Sequence, residues 1–284
     1  MAHDRPVLEV ETRDGHRYEL IRCGPPAAAS TMLLVPGMGI SARQYIEFGD
    51  RMGGHGVRVL IHEWRGNGSS SIRAARDRDW NYRELVEIDL AASLERACEA
   101  ADGRVVLAGH SLGAQLAALA AARQPERAAG LALIAGGVPH TALYPLRLKL
   151  VLHVMFRAFP LLCAIVGYLP GRTIRFGGRE ARSVIGDWCR TGLTGRYDLD
   201  SLSFDAESAL RQLQIPLLAV NMADDAWVPE ESLEALVGKM PGCAPSRAML
   251  READLGGRRA DHFTWMRRPE ATARVVHDWM AEAT

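Results

Sequence analysis

The sequence has no excess of charge of either sign, few cysteines and few aromatic residues. Its 34 Lys and Arg balance 34 Asp and Glu. Nothing in that balance draws the chain to a polyanion, so nucleic acid is not an expected partner. The five cysteines, Cys23, Cys98, Cys163, Cys189 and Cys243, are odd in number and scattered without metal-ligand spacing. That argues against a disulfide framework and for a reducing, cytoplasmic compartment. The N-terminus carries His3, Asp4 and Arg5 and lacks the apolar core of a signal peptide. The one long apolar stretch, 148–169, is interrupted by Lys149, His153, Arg157 and Pro160. These are costly at the centre of a bilayer, so no transmembrane segment is expected, while contact with a lipid surface stays open. Neither a phosphate-binding glycine loop nor clustered metal ligands are present, so no cofactor and no metal are expected.

What is present is alternation. Residues 7–12 and 16–23 flank Asp14-Gly15 and read as a hairpin. Apolar runs at 31–35, 57–62, 105–108, 131–135 and 217–221 read as strands buried on both faces of a parallel sheet. Between them, 42–53, 82–100 and 112–123 have helical spacing, and 230–239 and 272–280 follow with a strand near 247–251. This is the sequence form of βαβ units: an α/β fold, a mostly parallel sheet with helices on both faces. The alternation stops after 137 and resumes at 215. The division expected is therefore a core of 1–137 and 215–284, with 138–214 inserted as a helical cap without a clear strand.

Between the run 105–108 and the helix at 112–123 stands Gly109-His110-Ser111-Leu112-Gly113, a G-x-S-x-G in strand-turn-helix context. A serine on so sharp a turn needs small neighbours two residues either side, and the helix that follows aims its amides and dipole at developing negative charge. A serine hydroxyl also needs a histidine to take its proton and a carboxylate to orient that histidine. His262 stands in a loop after the last strand, whereas His277 lies within a helix beside Val275, Val276 and Met280. Asp224 and Asp225 follow the strand at 217–221, and Asp261 is a lesser rival. His110 is expected to point into the packed turn in a structural role.

Four motifs occur in order: Pro36-Gly37-Met38-Gly39, Gly109-His110-Ser111-Leu112-Gly113, Asp224-Asp225-Ala226-Trp227-Val228-Pro229 and Asp261-His262-Phe263. Together they resemble the α/β-hydrolase superfamily across nearly the whole chain. The resemblance implies the chain order Ser, Asp, His, hence Ser111 as nucleophile, Asp225 as orienting acid and His262 as base. It also implies an oxyanion hole from the backbone N–H groups of Met38 and Leu112. Within the superfamily, the stretch from Trp64 to Ser70 and Tyr168-Leu169-Pro170-Gly171-Arg172 resemble a group of bacterial hydrolases. Pro36 stands where many relatives have His, Glu63 where Asp commonly precedes Arg-Gly, and Ala114 where that group often has Gly; none of these removes a catalytic atom.

The function expected is hydrolysis of a carboxylic ester or thioester through an acyl-Ser111 intermediate. Acyl transfer by the same residues and a non-catalytic ligand-binding protein are the alternatives. The partner is a small-molecule ester or thioester, with self-association left open. The apolar residues of the cap, among them Leu146, Leu150, Val154, Phe156, Leu161 and Ile165, either line an acyl pocket or pack the cap onto the core. Arg172, Arg175, Arg179 and Arg182 either meet an anionic head group or form a solvated face.

Overall fold

A computed structural model describes residues 5–283. The chain opens as a hairpin of β1 (Val7–Glu11) and β2 (Arg17–Cys23), turning at Gly15, whose φ of +80° favours glycine. β3 (Ser30–Val35), a 3-10 turn at Ala42–Tyr45, α1 (Ile46–Gly54) and β4 (Val57–Ile61) follow. A wide π-helical stretch at Glu84–Leu90 runs into α2 (Ala91–Ala101). Then come β5 (Val105–His110), α3 (Leu112–Arg123) and β6 (Ala128–Ile134).

Past β6 the chain leaves the sheet. It forms α4 (Leu146–Val166), β7 (Tyr168–Pro170), the short α5 (Gly171–Ile174), β8 (Arg179–Ala181), α6 (Arg182–Thr194) and α7 (Ala206–Gln212). It returns as β9 (Leu217–Met222), α8 (Glu230–Val237), β10 (Pro245–Leu250), α9 (Thr264–Arg267) and α10 (Glu270–Ala283). One detail of the inserted segment differs from the sequence reading: it contains strands, because β7 and β8 pair antiparallel as a separate two-stranded sheet. α4 runs for 21 residues with Pro160 inside it.

The main sheet has the order β1-β2-β4-β3-β5-β6-β9-β10, with β2 alone running against the rest. β3 to β6 and β9 are apolar nearly throughout because both faces are covered. One core cluster, with Leu33, Leu107 and Leu131, packs under α2, α3 and the inserted helices. The other, with Leu34, Ala108 and Trp265, packs under α1 and α10. The order reverses at β3, since β4 is added on one side of it and β5 on the other. That switch opens a crevice beyond the C-terminal ends of β3 and β5, where open α/β sheets hold their ligands.

A buried polar network ties the hairpin to the helical layer. The Arg65 guanidinium donates to both oxygens of Asp89, at 2.9 and 2.6 Å, and to Asp14. His16 pairs with Asp89 at 3.0 Å and with Ser70 at 2.9 Å. A buried carboxylate is tolerated only when fully partnered, so this cluster fixes the turn from Trp64 to Ser70 against the π-helical stretch.

Candidate active site

Ser111 is the hinge between β5 and α3. Its φ of 56° and ψ of −121° form a strained conformation rarely held by a residue with a side chain. The flanking glycines make the turn feasible. A side chain at Gly109 would strike the Gly113 backbone, and one at Gly113 would strike the carbonyls of Val35 and Pro36. Gly37 also approaches closely, since a Cβ there would stand 3.3 Å from Ser111 Cβ. The loop after β3 thus lies directly against the serine.

Asp225 is buried at the end of β9. Its Oδ1 accepts from the N–H groups of Trp227 and Val228 at 2.8 and 2.9 Å, and its Oδ2 meets His262 Nδ1 at 2.7 Å. Two backbone donors hold the carboxylate, leaving one oxygen for the imidazole. Asp224 is used differently. Its Oδ2 accepts from Ala260 N–H at 3.0 Å and its own N–H donates to the Ala260 carbonyl, so it ties the loop after β9 to the loop bearing His262. Asp261 accepts from the N–H groups of Phe263 and Thr264 and shapes the start of α9. His277 sits on α10 beside Asp278 and stacks on His55, outside this cluster.

His110 proves to be a connector. Gly37 N–H donates to the Tyr45 hydroxyl at 2.8 Å, leaving that hydroxyl's proton for His110 Nδ1 at 2.7 Å. His110 Nε2–H then donates to the main-chain carbonyl of His262 at 3.1 Å. Burial holds the His110 imidazole well below its ordinary pKa, and His262 pushes the same way, so the ring is neutral and its tautomer is set by these two partners. Sequence reasoning gave His110 a structural place in the turn but not this chain of contacts; its partner Tyr45 is 65 residues away. Trp64 is a second support missed from sequence, its indole N–H donating to the Pro36 carbonyl at 2.8 Å.

Ser111 and His262 line one cavity of about 190 Å³, together with Met38 and Leu112. Among the described residues no hydrogen bond joins Ser111 to His262, and none engages the N–H of Met38 or Leu112. The cavity wall is otherwise mostly apolar. From the inserted segment it takes Leu148, Leu152, Phe156, Phe176 and Trp188, with Arg175 the sole charged residue there. Of the six apolar residues of 138–214 given two readings above, only Phe156 lines the cavity; Leu146, Leu150, Val154, Leu161 and Ile165 face outward. The helical period explains the split, since positions near Leu152 and Phe156 lie opposite those near Leu150 and Val154. Of the four arginines, Arg175 lines the cavity, Arg179 stacks 4.0 Å from the Tyr168 ring centre and Arg182 pairs with Asp79 at 3.0 Å; Arg172 is exposed.

A family model described as serine aminopeptidase, S33, matches residues 26–248. No curated protein matches the chain by sequence. Among solved structures, a membrane phospholipase A described as a bacterial virulence factor superposes with a TM-score of 0.67 at 22% identity, covering 98% of this chain and 86% of that one. A thermophilic esterase from Thermogutta terrifontis gives 0.66 at 18% identity, covering 98% of each chain. The thioesterase domain from the curacin biosynthetic pathway gives 0.63 at 16%, covering 96% of this chain and 98% of that one. At such identities the likeness is one of fold.

Proposed function

The chain belongs to the serine aminopeptidase S33 family of α/β hydrolases, and from that premise we propose that it hydrolyses a carboxylic ester or thioester through an acyl-Ser111 intermediate. The observation that carries this reading is the 2.7 Å contact between Asp225 Oδ2 and His262 Nδ1, in a site whose cavity is shared by His262 and Ser111. Asp225 accepts the Nδ1 proton, which leaves Nε2 as the basic nitrogen available to the serine.

In the proposed reaction Ser111 Oγ attacks the acyl carbonyl while His262 Nε2 takes its proton. The carbonyl oxygen becomes an oxyanion, stabilised by the N–H groups of Met38 and Leu112 and by the N-terminus of α3. Collapse expels the alcohol or thiol, which leaves with the proton from His262. Water, deprotonated by the same nitrogen, then cleaves the acyl-enzyme, releases the carboxylic acid and restores Ser111.

The cavity supports an apolar acyl group rather than a peptide. An aminopeptidase must hold a free ammonium group, and among the described residues no Asp or Glu lines this cavity. Its volume is slightly above the ~150 Å³ that accommodates benzene in an apolar protein cavity, which suits a short acyl chain or a small ring. The inserted helices act in this reading as a cap over the nucleophile, limiting water around the acyl group.

Intact mass after treatment with a fluorophosphonate tests the proposal without knowledge of the substrate. The wild-type protein gains one phosphonyl adduct and Ser111→Ala gains none. Folded wild type that gains none overturns the assignment of Ser111 as an activated nucleophile and leaves a ligand-binding protein.

A further inference from the structure

α4 is apolar on both sides, yet only one side has protein to pack against. Leu152, Phe156 and Cys163 are buried. On the other side Leu146, Leu150, Val154, Leu161 and Ile165 are between 59% and 72% exposed. Their spacing of four, four, seven and four residues aligns them in one stripe along the helix. Soluble surfaces seldom carry so long an uncovered aliphatic stripe unless something covers it.

Charge identifies the cover. From 138 to 179 the chain carries Arg147, Lys149, Arg157, Arg172, Arg175 and Arg179 and no Asp or Glu, although the whole chain is balanced at 34 against 34. Residues 138–179 are thus the basic part of the inserted segment, whose remainder carries four Arg and six Asp or Glu. Arg147 and Arg157 are exposed on the stripe's own side of α4, and Arg157 donates to the His153 carbonyl at 3.0 Å, which holds its guanidinium at the helix surface. A second copy is a poor occupant, because two positive inserts would face each other. An anionic, apolar surface satisfies both features.

We propose that the outward face of α4 docks in the plane of an anionic phospholipid bilayer, with its leucines and valines below the head groups and its arginines on the phosphates. α4 is about 31 Å long, enough to cross a membrane. Crossing would strip Leu148, Leu152 and Phe156 from the cavity they line, whereas lying flat leaves the cavity intact. In that pose α4 stands between the lipid and the cavity, since the side that lines the cavity is opposite the stripe.

Flotation of the full-length protein on vesicles tests this independently of catalysis. On phosphatidylcholine mixed with phosphatidylglycerol at a roughly two-to-one ratio, the bound fraction exceeds that on pure phosphatidylcholine by about tenfold or more, and it falls as salt is raised. Val154→Asp combined with Leu161→Asp abolishes binding while fluorophosphonate labelling and thermal melting stay at wild-type values. Arg147→Ser with Arg157→Ser weakens binding to the anionic vesicles only. Absence of vesicle binding, equal binding to neutral vesicles, or a concentration-dependent dimer that the double aspartate variant dissociates overturns the proposal. Loss of labelling with retained vesicle binding overturns the ester reading and leaves docking in place.

Discussion

His110 Nε2 stands 3.1 Å from the main-chain carbonyl of His262, and their rings are 4.7 Å apart centre to centre. The residue next to the proposed nucleophile thus holds the backbone of the proposed base. Through Tyr45 the same ring reaches Gly37 N–H in the loop after β3. One neutral imidazole connects three of the four loops on which the site is built, the loop of Asp225 being the fourth, so the relative positions of those three do not depend on each loop's own stiffness.

Removing that ring's polar atoms tests the connection. In His110→Phe the Tyr45 hydroxyl and the His262 carbonyl each lose a buried partner, at a cost of about 1–3 kcal/mol apiece. Chemical denaturation is expected to show that loss. kcat on a soluble ester is expected to fall by roughly 10–100-fold through misplacement of His262 while fluorophosphonate still labels Ser111, more slowly. Unchanged kcat would remove the positioning role.

Asp225→Asn retains the shape but not the charge, and it offers an N–H to a nitrogen that should donate. The imidazole is then held in the wrong tautomer. A fall in kcat of about 10⁴ is expected with KM within a few-fold of wild type. Asp224→Asn is expected to leave kcat much closer to wild type, because Asp224 contacts Ala260 and not the imidazole. Initial-rate kinetics on one substrate separates the two aspartates.

Acid should destabilise the protein through His62. Full burial lowers its pKa to about 3, against the pull of Asp89, whereas the unfolded chain titrates near the ordinary histidine value of 6.5. Between those values the unfolded state binds a proton that the folded state refuses, so stability falls as pH drops from 6.5 toward 3. The slope from one such group is about 1.4 kcal/mol per pH unit. Urea midpoints measured at successive pH values are expected to show this decline, and His62→Gln is expected to flatten it by one proton's worth.

Cavity size should govern acyl length. Leu152 is buried and lines the cavity from α4. Leu152→Trp fills the apolar end and is expected to lower kcat/KM for butanoyl esters by at least about tenfold while changing acetyl esters little. A uniform loss across the chain-length series would place the acyl group elsewhere.

The sequence by itself determined what is local. Continuous apolar runs can be strands only where both faces are covered, so the parallel sheet was legible at 31–35, 57–62 and 105–108. The glycines around Ser111 were legible for the same reason, because a strained turn admits few residues. Three matters belonged to the tertiary structure. Asp224 and Asp225 are adjacent and chemically alike; the motif resemblance points to Asp225, and it is their separate contacts with Ala260 and His262 that give each its own partner. The roles of His110 and Tyr45 rest on contact between residues 65 apart in the chain. And α4 reads as apolar all round; only packing against α6, with Phe156 on Trp188 at 4.8 Å, decides which leucines face the cavity and which face outward. Side-chain type is written in the sequence, but the choice between equivalent groups depends on which neighbour reaches them, and that is fixed only when distant segments meet.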